Sequence, residues 1–258
     1  MKVSVVLTAM NRRKHLEITL RSISLSSSKD FEVVIVDDAS DSRNRIDDMP
    51  SRFGFPVRII RINPQQKWWV NPCIPFNMGF REAKGEIILF GNAECIHFGD
   101  VISDAAASVT VDNYIPYACY SIGQTMTARV QMIRGNEDLL RGINKIVFPL
   151  TTTGKPNPVA YWYNHKKFRP RGLHFLSGIH SNRIKQLGGF DERYAKGISY
   201  DDDDFLYRVR KIGLSVEITD ESRPFAIHQY HQCFFRRHPN WRKLIDRNVA
   251  IWKSVNKG

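Results

Sequence analysis

The sequence predicts an α/β fold with a mixed, mostly parallel central sheet and helices on both faces, organised as a single domain. Three observations predict it. Short apolar runs recur through the first hundred residues, as in strands covered on both faces. Between them lie stretches with apolar residues at helical spacing. Each run also ends in a polar cluster, and in parallel sheets the carboxyl ends of the strands are where ligands bind.

The elements follow in order. Residues 3–7 form the first apolar run. Leu16, Leu20 and Ile23 then repeat at i, i+4 and i+7, one face of a helix. Residues 33–36 and 57–62 supply a second and a third strand, and a helix over 72–83 is closed by Gly85 before a fourth strand at 87–90. The second half is less regular. A strand is expected over 114–120, a helix over 136–143, and a long loop over 144–170, which is rich in Pro, Thr, Lys and aromatics. Strand character returns at 173–179. A helix over 201–212 sets Phe205, Val209 and Ile212 on one face, and a basic, aromatic, helical segment lies around 241–252. No repeat, low-complexity tract or linker divides the chain.

Composition narrows the function classes. An apolar content of 42% excludes a disordered chain, and no apolar run approaches the ~20 residues of a membrane-spanning helix. The amino-terminal apolar stretch is short and its basic residues follow it, unlike a signal peptide, so a cytoplasmic location is expected. Cys73, Cys95, Cys119 and Cys233 are scattered without a CxxC pair, which fits free thiols in a reducing compartment. The net charge of +12 calls for an anionic partner: nucleic acid, an anionic membrane surface or a phosphorylated substrate.

The strand ends carry the chemistry: residues 8–12, 37–41 and 92–97. Asp37 and Asp38 close the second apolar run, where carboxylates can accept from a base or a ribose hydroxyl, or equally form a turn. Asn92, Glu94, Cys95 and His97 crowd the end of the fourth. Four aspartates, 201–204, open the late helix, where the helix dipole tolerates them and capping is the simpler reading. Trp68, Trp69, Tyr161, Trp162 and Tyr163 either stack on sugar rings or pack the core; Trp162 is the expected acceptor contact.

Taken in order, VSVVLTAMNR, Asp37-Asp38-Ala39-Ser40, Asn77-x-Gly79, Ala83-Lys84-Gly85, Gly188-Gly189-Phe190-Asp191-Glu192 and Tyr200-Asp201-Asp202-Asp203-Asp204 resemble the family 2 glycosyltransferases, whose fold is GT-A and Rossmann-like. The resemblance covers roughly residues 1–100 and 173–231. It implies a nucleotide-sugar half over 1–100, an acceptor half over 101–230 and a basic aromatic segment over 231–258. Thr8, Ala9 and Asp38 would hold the uracil and ribose of a UDP-sugar, with Asn11, Arg12, Asp37, Asn77, Asn92, Ala93 and Glu94 completing the donor site. Phe76 stands where the family often has a basic residue, so Arg12 or the 144–170 loop would supply that cation.

Asn92-Ala93-Glu94 occupies the usual place of an Asp-x-Asp motif, and His228, in a segment running to His231, resembles the family's late metal-reaching histidine. Glu94, His228 and Asn92 are thus the expected metal ligands, a mixed oxygen and imidazole set that suits Mn²⁺ better than Mg²⁺. Position by position, Asp202 takes the place of the catalytic base, Asp201 and Tyr200 line the acceptor, and Asp204 braces the helix. A base on the face of the sugar opposite the leaving diphosphate gives inversion.

An inverting transferase is therefore expected. It would act on a glycan or lipid-linked acceptor, with the basic carboxyl-terminal segment touching an anionic membrane from the cytoplasmic side. Two other readings compete with it. A nucleic-acid-binding protein would use FFRRHPNWRK at 234–243, but no such motif is present and strand-end carboxylates repel phosphate. A non-catalytic nucleotide-binding GT-A domain would explain Asn92, but the acidic helix start is intact. Nothing in the sequence sets the oligomeric state.

Overall fold

The computed structural model describes residues 1–232 and 238–255. β1 (Val3–Ala9), α1 (Arg13–Ile23), β2 (Phe31–Asp37), β3 (Val57–Arg61), α2 (Cys73–Glu82) and β4 (Ile87–Asn92) build the first half. β1 pairs in parallel with both β2 and β4, and β2 with β3. The strands read as apolar runs because both faces are covered. Val5, Val33, Ile35 and Leu89 join Leu16 and Leu20 of α1 in one core, while Val6, Val34, Val36 and Phe90 join Phe76 and Phe80 of α2 in another.

The chain continues through β5 (Cys95–Phe98), α3 (Val101–Ser108), β6 (Asn113–Pro116), β7 (Cys119–Ile122), α4 (Gln124–Met132), α5 (Glu137–Val147), β8 (Ala160–Asn164) and β9 (Leu176–His180). It ends with α6 (Ser181–Leu187), α7 (Asp201–Lys211), β10 (Ser215–Val216), β11 (Phe225–His228) and α8 (Trp241–Val255). The main sheet has the order β10-β6-β9-β4-β1-β2-β3, with β9 antiparallel to both of its neighbours. A second, smaller sheet has the order β5-β11-β7-β8. A third core under it combines Ile96, Tyr120, Trp162 and Ile227 with Val130, Leu139 and Ile143 from α4 and α5.

Several expectations need correction. The single strand over 114–120 is two strands in different sheets: Pro116 ends β6, and Tyr117 and Ala118 carry the chain across before β7. The loop over 144–170 contains the end of α5 and all of β8, and strand 173–179 lies later, as β9. A buried amide helps to dock α8: Asn248 Nδ2 donates to the carbonyls of Tyr194 (3.1 Å) and Ser199 (2.8 Å). Gly197 must be glycine there, since a Cβ would fall 2.0 Å from Asn248 Oδ1. Cys73, Cys95 and Cys119 are buried free thiols, whereas Cys233 and residues 234–237 of the basic run lie outside the described residues. Among the described residues no helix is long and apolar enough to cross a membrane.

Candidate active site

The carboxyl ends of β1, β2 and β4 open into a cleft of about 840 Å³, whose other wall comes from the second sheet. Thr8, Ala9, Asp38, Asn92 and Glu94 reach it from the main sheet. The loops that deliver them are tied together: the Asn11 backbone N–H donates to Ser40 Oγ (2.9 Å), and Asn11 Oδ1 accepts from the Asp41 N–H (2.8 Å). Asn11 has φ 55° and Ala39 φ 62°, left-handed turns that Asn tolerates better than most residues.

Asp38 presents a fully engaged carboxylate. Trp69 Nε1 donates to Oδ1 (2.9 Å), and Lys67 Nζ pairs with Oδ2. Asp37 behaves differently from its expected donor-binding role. It is completely buried, accepts from the Ser40 N–H (3.0 Å) and pairs with Arg61 (3.1 Å), so it fixes the loop after β2.

Next along the cleft is a group of three potential metal ligands. Glu94 Oε1 lies 2.9 Å from His231 Nε2 and 3.6 Å from His228 Nε2, and one donor atom from each residue falls within 4.8 Å of the others. β5 and β11 bring them together: they pair antiparallel, with Cys95 opposite His228, so the turn at Glu94 meets the segment after β11. Ala93 is the buried pivot of that turn. Its N–H donates to the Thr8 carbonyl (3.2 Å) and its carbonyl accepts from Thr19 (2.8 Å), so it contributes backbone rather than a side-chain contact.

Burial alone pushes the Glu94 carboxyl up, but hydrogen bonds from His228 and His231 outweigh it and hold it well below the usual carboxylate range. Burial pushes His228 down, which favours the neutral imidazole that a metal needs. Its Nδ1 is buried without a hydrogen-bond partner. Arg12 Nη2 lies 2.8 Å from His231 Nδ1 and Arg12 Nε 4.0 Å from Glu94. One carboxylate and two imidazoles fit a first-row transition ion. Asn92 lines the same cleft, but His231 was not among the expected ligands. His97 stays apart in β5, buried with neither ring nitrogen hydrogen-bonded, and burial pushes it down to about 3.

The acidic start of α7 forms the second constellation. Ser199 and Tyr200 have φ of 63° and 68°, a strained turn that delivers the aspartates. Asp201 is buried and accepts from Asn71 Nδ2 (2.7 Å); burial and the neighbouring Asp202 charge push it up to about 6. Asp202 Oδ1 accepts from the His174 backbone N–H (3.1 Å), and His174 Nδ1 lies against the same oxygen. Burial lowers the His174 pKa, but the Asp202 charge outweighs it and leaves a net upward shift. The imidazole sits in an aromatic box with Phe76 (5.0 Å) and Phe190 (4.9 Å), so the unexpected Phe76 fills a wall behind Asp202. Asp204 pairs with Arg208 (2.6 Å) and braces the helix. The Tyr200 ring packs toward Trp252 of α8 (6.3 Å).

Like Asp37, two further expected site residues are structural. Trp162 is fully buried, its Nε1 donates to the Thr151 carbonyl (2.9 Å), and it packs on Tyr120. Residues alternate across β8, so it is Tyr161 and Tyr163 that reach the cleft. Asn77 is buried and does not line the cleft. Its Nδ2 donates to the Phe190 carbonyl (2.9 Å) and to Glu192 (3.0 Å), and its Oδ1 accepts from the Phe190 N–H (2.8 Å). Gly189, at φ 74°, must be glycine because a Cβ would fall 2.3 Å from that oxygen. Asn77→Ala is therefore expected to destabilise the protein by about 3 kcal/mol, measured by urea unfolding, because it strands buried backbone groups; a change under about 0.5 kcal/mol contradicts this role.

Comparison with known proteins fits this geometry. The model of the family "Glycosyl transferase family 2" matches residues 4–182. The chain belongs to that family. An uncharacterized glycosyltransferase from Haemophilus influenzae is 32% identical over 88 residues, 34% of this chain and 28% of that protein. Among solved structures, S. aureus TarS 1-349 in complex with UDP-GlcNAc superposes with a TM-score of 0.62 at 17% identity, covering 90% of this chain and 60% of that one. The mannosyltransferase PcManGT from Pyrobaculum calidifontis, in complex with GDP-Man and Mn²⁺, gives 0.58 at 14% identity, covering 100% and 65%. This family 2 chain thus spans under a third of its curated relative and less than two thirds of these two structures. The fold it shares with them is GT-A.

Proposed function

We propose that this family 2 domain transfers a sugar from a UDP-sugar to a hydroxyl of a glycan or lipid-linked acceptor, with inversion at the anomeric carbon. The observation that carries the reading is one continuous cleft, in which Thr8, Ala9 and Asp38 lead directly to Glu94, His228 and His231. Two structural neighbours hold nucleotide sugars, UDP-GlcNAc in one and GDP-Man with Mn²⁺ in the other, which supports a donor in this cleft.

Glu94, His228 and His231 would hold a divalent ion, with Mn²⁺ better suited than Mg²⁺ to two imidazoles. A bound divalent ion neutralises charge developing on the leaving diphosphate. Asp202 acts as general base and takes the proton of the attacking hydroxyl as the new bond forms. His174 occupies its Oδ1, which fixes the carboxylate and leaves Oδ2 for the acceptor. The enzyme works in the cytoplasm, where buried free thiols stay reduced, and the exposed Arg242, Lys243 and Lys253 of α8 suit a peripheral position on an anionic leaflet.

A panel of UDP-, GDP- and dTDP-sugars incubated with the protein and Mn²⁺ tests the donor. UDP-sugar hydrolysis above the others is expected; a clear preference for a GDP-sugar, or no release from any donor, rejects the assignment.

A further inference from the structure

The second sheet carries a feature that the donor site does not use. Tyr161 and Tyr163 stand on the cleft face of β8, their rings 4.8 Å apart at 69°, and Tyr163 is backed by Phe175 at 4.7 Å. Arg169 lines the same cleft, with its guanidinium 5.9 Å over the Tyr163 ring. Arg12, which lines the cleft too, lies near the Glu94 carboxylate, and Lys67 pairs with the cleft residue Asp38. Among the described residues Arg169 has no carboxylate within ion-pair distance, and its side chain makes one long hydrogen bond, to the Trp162 carbonyl (3.5 Å).

The loop that holds Arg169 is preformed. His165 and Arg169 exchange two backbone hydrogen bonds, of 2.9 and 3.0 Å. The buried His165 ring accepts from the N–H groups of Lys167 (3.0 Å) and Phe168 (3.1 Å). A half-buried guanidinium fixed on a ring, without a counter-charge, is pre-organised to receive one. Exposed Lys166, Lys167 and Arg171 flank it and raise the local positive potential.

The geometry points to an acceptor subsite for an anionic sugar: Tyr161 and Tyr163 carry the ring, and Arg169 takes its carboxylate or phosphate. Arg suits either anion because its planar fork makes two parallel hydrogen bonds. The subsite belongs to the acceptor because of where it begins. The Tyr163 ring packs on His228 at 4.9 Å, on the flank of the group proposed for the diphosphate, and β8 is the edge strand of the second sheet, at the opposite edge from β5, which follows the Glu94 turn. A neutral sugar would cover Arg169 without satisfying it, so the site discriminates by leaving a desolvated charge unpaired. This assignment rests on the transferase reading above.

The test uses immobilised glycans in matched neutral, carboxylated and phosphorylated sets, probed with the full chain in the presence of UDP and Mn²⁺. The wild type is expected to favour the anionic member of a set by about tenfold, the scale of one charge-assisted hydrogen bond. Arg169→Met should bring that ratio near one, Arg169→Lys should keep part of it, and thermal shift by UDP should be unchanged in both. Which anionic set is retained identifies the anion. Equal retention of neutral and anionic glycans by the wild type, retention of none, or an undiminished ratio in Arg169→Met overturns the subsite while UDP binding leaves the donor reading standing. Absence of any UDP effect on the wild type overturns the transferase reading and the acceptor assignment with it.

Discussion

Asp202→Asn is expected to lower transfer about a thousandfold while leaving UDP affinity within about twofold. The amide has the same shape and can still accept at Oδ1 from the His174 N–H, so the start of α7 keeps its geometry. What it loses is the ability to take a proton. Steady-state transfer and a UDP titration on the same preparation separate the two effects. An active variant would remove Asp202 as base and turn attention to Asp201, whose carboxyl is buried against Asn71. A variant that loses UDP binding instead would mean that the substitution had disturbed the cleft as a whole.

The second large effect is expected at Glu94. It is the one carboxylate in the three-residue group, and Arg12 stands beside it. Glu94→Ala leaves two imidazoles facing a guanidinium, an arrangement that repels a divalent cation. Mn²⁺-dependent UDP binding should fall about 100-fold, measured by calorimetry, a loss of about 2.7 kcal/mol. His231→Ala should cost less, about tenfold, because Glu94 and His228 remain. Unchanged binding in Glu94→Ala would show that the leaving diphosphate is stabilised without a metal at this group, with Arg12 the nearest cation.

The parts of the fold that were legible in the sequence are those with both faces covered. β1, β2 and β4 read directly because alternate side chains enter two different cores, so the whole run is apolar. β5 and β11 have four residues each, too short for a period to emerge, and their pairing joins residues 95–98 to 225–228. That pairing places His231 beside Glu94, so proximity there depends on a contact no local pattern announces. The same holds for His174, a histidine outside every motif, which meets Asp202 only after β9 and α7 pack on a shared core.

The aromatic error has a different cause. Reading 144–170 as a loop gave its residues no faces, and without β8 the choice among Tyr161, Trp162 and Tyr163 could not be made. Alternation in the strand reverses the choice at once, burying Trp162 and turning its two neighbours to the cleft. Asn77 shows that a motif can mark an important residue without naming its job. The resemblance implies a donor contact, whereas its main partner, the Phe190 backbone, lies 113 residues away, in the turn after α6.

Glu94, His228 and His231 are proposed to bind the diphosphate of a nucleotide through a divalent ion. A calorimetric titration of UDP into the wild-type protein, once with Mn²⁺ and once with EDTA, tests it most directly. Binding that needs Mn²⁺, and that falls about 100-fold in Glu94→Ala, is the predicted result. Equal UDP affinity in Mn²⁺ and in EDTA would contradict it.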